Sequence, residues 1–87
     1  MDRDEIVKWI NHYAVDDVLL ADGFEEAFIG MCTRFGMEPV AAYDRDKCLE
    51  VLVQRDGMSY EEAVEYFDFN VIGAWVGDQT PVFLTLV

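Results

Sequence analysis

The sequence predicts an α+β fold: three helices over about 3–14, 45–56 and 60–76, packed on a small, mostly antiparallel sheet. The sheet is expected from a hairpin at about 27–43 and a C-terminal strand at about 82–87. Three observations carry this prediction. Apolar residues recur at helical spacing at both ends of the chain. The run Gly57-Met58-Ser59-Tyr60-Glu61-Glu62 reads as one helix stopping and the next starting, and Val82 to Val87 is β-branched, aromatic and uncharged.

The first helix rests on Ile6, Trp9, Ile10 and Tyr13, which fall on one stripe, with Asp2, Asp4 and Glu5 at the positive end of the macrodipole. The stretch from Ala14 to Phe24 holds Asp16-Asp17, the apolar run Val18-Leu19-Leu20 and the turn signal Asp22-Gly23. It reads as a connection with room for a short strand. Phe28-Ile29-Gly30-Met31-Cys32 and Val40-Ala41-Ala42-Tyr43 are short apolar runs separated by Gly36 and Pro39. Length and punctuation favour a hairpin, although Glu25 to Phe35 can also be drawn as a helix interrupted by Gly30.

From Asp44 the period changes. Asp44 is placed to cap a helix whose broad apolar face is Cys48, Leu49, Val51, Leu52 and Val53, and Gly57 follows as its stop. Ser59 and Glu62 have the spacing of a capping box, so a new helix begins at Tyr60. Its apolar positions Tyr60, Ala63, Val64, Phe67, Val71 and Trp75 keep helical period up to Gly77, the expected terminator. The final run, Val82 to Val87, suits a strand buried on both sides.

Eighteen acidic residues face six basic ones in a chain of 87, a net charge of −12, yet 53% of the residues are hydrophobic. A chain this apolar folds rather than remaining an acidic tail, and it carries its charge outside. The length suits one domain over 1–87. Such a surface repels nucleic acid and anionic membranes and attracts basic protein surfaces, nucleic-acid-binding grooves among them.

Cys32 and Cys48 lack CxxC spacing and the lone His12 is distant from both in sequence, which argues for free thiols in a reducing cytoplasm rather than a disulfide scaffold or zinc site. The acidic N-terminus does not resemble a signal peptide, and no apolar run approaches the roughly 20 residues a membrane span needs. A cytoplasmic protein without cofactor is the expectation.

The stretches Tyr43-Asp44 to Leu49, Arg55-Asp56-Gly57-Met58-Ser59-Tyr60-Glu61-Glu62-Ala63, Phe69-Asn70-Val71-Ile72-Gly73-Ala74-Trp75-Val76-Gly77 and Thr80-Pro81-Val82-Phe83 together resemble a family of small proteins encoded in bacteriophage and bacterial genomes. The resemblance spans about half the chain and brings no activity with it. It implies a phage or prophage accessory protein.

Glu61, Glu65 and Asp68 stand at i, i+4 and i+7 on the last helix, and with Glu62 they form an acidic ridge lacking a basic partner at i±4. Like charges at this spacing cost a few tenths of a kcal/mol per pair. A solvated face is the simpler account. The functional reading is mimicry of nucleic acid: the ridge, extended by Asp16, Asp17, Asp44 and Asp46, would occupy the groove of a basic host protein.

Tyr66, Asn70, Gly73 and Gly77 form a second stripe, expected to be structural: Gly73 admits a neighbouring backbone and Asn70 bonds a neighbouring segment. Trp9, Phe67, Phe69 and Trp75 are expected in the core. Asp44-Arg45-Asp46 with Asp56 fails as an EF-hand, because Leu49 and Arg55 stand where the loop needs Gly and Glu. No P-loop is present, and a Cys–His catalyst would need a proximity the sequence does not show. The reading is a non-enzymatic binding protein. Its alternative is a homo-oligomer, such as a homodimer, joined through the C-terminal strand or the first helix.

Overall fold

The computed structural model describes residues 1–13, 18–74 and 76–87. Helix α1 (Arg3–His12) opens on a capping box: the Asp2 carboxylate accepts from the Glu5 amide at 2.9 Å, and the Asp2 amide donates to Glu5 Oε1 at 3.2 Å. Ile6 and Ile10 are its buried residues. A 3-10 turn (Glu25–Ala27) leads into β1 (Phe28–Cys32), which pairs antiparallel with β2 (Val40–Asp44). The hairpin reading therefore holds over the helical alternative. Ile29 is the extra residue of a bulge between the Phe28–Tyr43 and Gly30–Ala42 pairs. No strand forms over Val18-Leu19-Leu20.

β2 runs directly into α2 (Arg45–Asp56), and α3 (Tyr60–Phe67) returns. Because this helical hairpin carries the chain away and back, β3 (Val82–Leu84) enters alongside β2 in the same direction, with Ala42 opposite Val82 and Asp44 opposite Leu84. The sheet, in the order β1-β2-β3, is thus mixed and not mostly antiparallel. β3 is also shorter than 82–87. Its residues are half-buried or exposed, as suits an edge, so it is not covered on both faces.

The last helix departs most from expectation. Regular α-helix ends at Phe67, and the chain widens into a π-turn over Asp68–Ile72, closed by the Gly73 amide donating to the Asp68 carbonyl at 3.2 Å. Gly77 does not end this helix. It belongs to the turn before β3, where the Thr80 hydroxyl donates to the Gly77 carbonyl at 2.6 Å and accepts from the Val76 amide at 2.9 Å.

One row of rings crosses the molecule. Trp9 meets Phe28 at 5.8 Å between centroids, Phe28 meets Tyr43 at 5.7 Å, and Tyr43 stacks on Phe83 at 5.6 Å. Phe83 in turn meets Phe67 edge-on at 5.1 Å, and Phe67 meets Phe24 at 6.1 Å. These spacings lie in the attractive range for aromatic pairs. Tyr43 is 1% exposed, and its hydroxyl accepts the Ala21 amide at 2.8 Å, tying the loop before β1 to the sheet. Trp75 and Ala14, the expected end of the first helix, lie outside the described residues.

Candidate functional site

The α2–α3 hairpin is built by local chemistry. The Asp44 carboxylate accepts the Lys47 amide at 3.3 Å, which caps α2. Gly57, with φ of 69°, ends it in the left-handed conformation that glycine adopts without strain. Ser59 Oγ accepts the Glu62 amide and Glu62 Oε1 accepts the Ser59 amide, both at 3.2 Å, so α3 starts at Tyr60 as its capping box predicts. Ala63 and Phe67 then face inward, and Glu61, Glu65 and Asp68 share one flank.

Arg45 fixes which way that flank looks. Its Nη2 lies 3.5 Å from Asp68 Oδ1 and its guanidinium sits 5.7 Å from the centre of the Phe67 ring. The flank therefore borders the seam with α2. On the α2 side the same seam carries Asp46 and Glu50, which line an open hollow of about 450 Å³ with Val53, Gln54 and Tyr60. Tyr60, the first apolar position of α3, is exposed on the rim.

The expected acidic ridge is thus divided in its roles. Glu62 is spent on the cap, Asp44 likewise, and Asp68 has the basic partner that i±4 spacing did not reveal. Glu61 and Glu65 on α3, with Asp46 on α2, remain exposed without an ion pair among the described residues. Asp16 and Asp17 fall outside the described residues. Glu50 was missed, although its place four residues after Asp46 put it on the same face; it meets Lys47 at 3.4 Å.

The second stripe is not buried. Asn70 is exposed and donates to the Tyr66 carbonyl at 3.2 Å, within its own helix and not to a neighbouring segment. Tyr66, Asn70 and Ala74 border a hollow of about 320 Å³ shared with Leu20, Pro81 and Phe83. At Gly73 the backbone that approaches closely belongs to the preceding turn: a Cβ there would stand 2.7 Å from the Phe69 carbonyl oxygen. Phe69, expected in the core, is 82% exposed, and no residue of the π-turn is buried.

A further hollow of about 790 Å³ opens between the start of α1 and the end of α2. Arg55 borders it but is already engaged. Its Nη1 donates to the Gly23 carbonyl at 2.6 Å, while Nε and Nη2 grip Asp56 at 3.0 and 3.1 Å. That grip raises the Arg55 pKa and lowers that of Asp56. Asp2 and Glu5 on the same rim are committed to the α1 capping box.

Cys48 is fully buried, and burial followed by the Asp44 charge pushes its thiol up to about 12, so it is protonated at neutral pH. Cys32 is exposed on β1, and both cysteines are free. Among the described residues no group of three His, Cys, Asp or Glu side chains is placed to hold a metal ion, and no helix is long and apolar enough to cross a membrane. No family model, no curated protein and no solved structure matches this chain.

Proposed function

We propose that the chain is a non-enzymatic protein-binding module whose α2–α3 face engages a basic protein, of the kind whose groove grips nucleic acid. The observation that carries this reading is how the few cations are spent. Four of the six, Arg3, Arg45, Lys47 and Arg55, each pair with an acid of this chain, whereas Glu61, Glu65 and Asp46 stand exposed without an ion pair among the described residues. Rigid helices present these carboxylates, and a cationic groove gains from them the attraction it gains from phosphates. An accessory protein of phage or prophage, acting in the cytoplasm on a host nucleic-acid-handling or defence protein, is the setting this reading fits.

The test is capture from host lysate at low and high salt, followed by competition with duplex DNA, with a Glu61→Lys/Glu65→Lys variant alongside. Asp68 is left intact because it pairs with Arg45. A partner held at low salt, released by salt or DNA and lost in the variant supports the reading. Capture that the variant leaves unchanged overturns it.

One observation favours a second reading, self-association. β3 is an edge strand within an uncharged stretch from Gln79 to Val87. An unpaired edge is a template for another strand. Sedimentation over a range of concentrations decides this, since a strict monomer rules it out.

A further inference from the structure

We infer that the exposed π-turn after α3 is an apolar anchor for the same acidic face, and that the occupant is a cationic amphipathic segment of another protein: Lys or Arg residues with a bulky apolar side chain beside them. This rests on the proposed acidic binding face and names the chemistry of its partner.

Three observations converge. Phe69 is 82% exposed and Ile72 48%, both within one five-residue turn, with Tyr66 and Val76 also exposed nearby in sequence. Phe69 follows Glu65 by four residues, one helical turn, so it continues the acidic flank at its C-terminal end, and Ile72 is exposed further along the same π-turn. The turn that carries them is specifically built. It is a π-turn, a feature frequent at functional sites, and it depends on a glycine, because a side chain at Gly73 would collide with the Phe69 carbonyl.

Charge selects the occupant. A second copy laid on Phe69 would bring its own acidic surface, part of a net charge of −12, toward these carboxylates. Nucleic acid is repelled for the same reason. A cationic segment instead neutralises Glu61 and Glu65 while its apolar residue covers Phe69 and Ile72. Charge then sets the rate of encounter, and the aromatic contact sets residence.

The test uses two labelled probes, a helical peptide of leucine and lysine and an oligolysine of equal charge, with binding read by fluorescence anisotropy. The wild-type chain is expected to prefer the leucine-containing probe by about thirtyfold, the lower bound for an aromatic hot spot. Phe69→Ala is expected to abolish that preference and leave oligolysine binding unchanged, while Phe69→Leu restores most of it. Since the side chain is exposed, circular dichroism should show Phe69→Ala folded. Glu61→Gln/Glu65→Gln is expected to weaken both probes and flatten the salt dependence. A preference that survives Phe69→Ala and Ile72→Ala overturns the anchor while leaving the acidic face standing. Failure of the wild type to bind either probe, or indifference to Glu61→Gln/Glu65→Gln, overturns both.

Discussion

Cys48 offers the sharpest quantitative test of the core. Its thiol is fully buried, and its pKa is raised from 9.0 to about 12, first by burial and then by Asp44. An acid whose folded pKa is raised stays protonated in the native state at a pH where the unfolded chain releases the proton. Stability from this group is therefore complete below pH 9 and is lost as pH rises toward 12. Between pH 8 and pH 10 the linkage amounts to about 1.4 kcal/mol, because one pKa unit corresponds to about 1.36 kcal/mol. Urea denaturation under reducing conditions, at each pH, measures it. Cys48→Ala loses stability at every pH through the small cavity, but its loss between pH 8 and 10 should be smaller than that of the wild type by about 1.4 kcal/mol. Titrating groups that do not sense Cys48 are shared by both chains and cancel; Tyr43, raised in part by Cys48, is the exception. Parallel stability profiles would show that Cys48 ionises freely in the folded state, and the account of the core around it would fail.

Two further substitutions probe how the candidate surfaces are held. Tyr43→Phe removes the acceptor of the Ala21 amide while keeping the ring, and should cost about 1 kcal/mol, a drop in melting temperature of roughly 4–8 °C; an unchanged melting temperature would mean the loop is not tied there. Gly73→Ala discriminates by sign. In a regular helix it would stabilise by about 1 kcal/mol, whereas the 2.7 Å approach to the Phe69 carbonyl predicts destabilisation of about 1 kcal/mol or more, read as a lower urea midpoint.

What could be read from the sequence was what short-range chemistry decides. Asp44, Gly57 and Ser59 act on amides within a few residues, so the ends of α2 and the start of α3 followed from their identities alone. The hairpin followed from Gly36 and Pro39. The direction of β3 did not, because it depends on how the α2–α3 hairpin returns the chain. The π-turn was hidden because its sequence suits an α-helix equally well, and only the collision avoided at Gly73 distinguishes them. In the acidic ridge, helical spacing correctly put Glu61, Glu65 and Asp68 on one flank. It could not show that Arg45, distant in sequence, reaches Asp68. Phe69 was misjudged by residue type, although its position after Glu65 already placed it on the solvent side.

The row of rings makes Phe83 the keystone of the molecule. It comes from a three-residue strand, yet it is the ring that touches both Tyr43 in the sheet and Phe67 in the helical hairpin. Remove that one ring and the row breaks in the middle, with Trp9, Phe28 and Tyr43 on one side and Phe67 and Phe24 on the other. Ala41 and Tyr43 of β2 still share one buried core with Leu49, Leu52 and Phe67, so the expected consequence is a weaker core that continues to unfold as one unit.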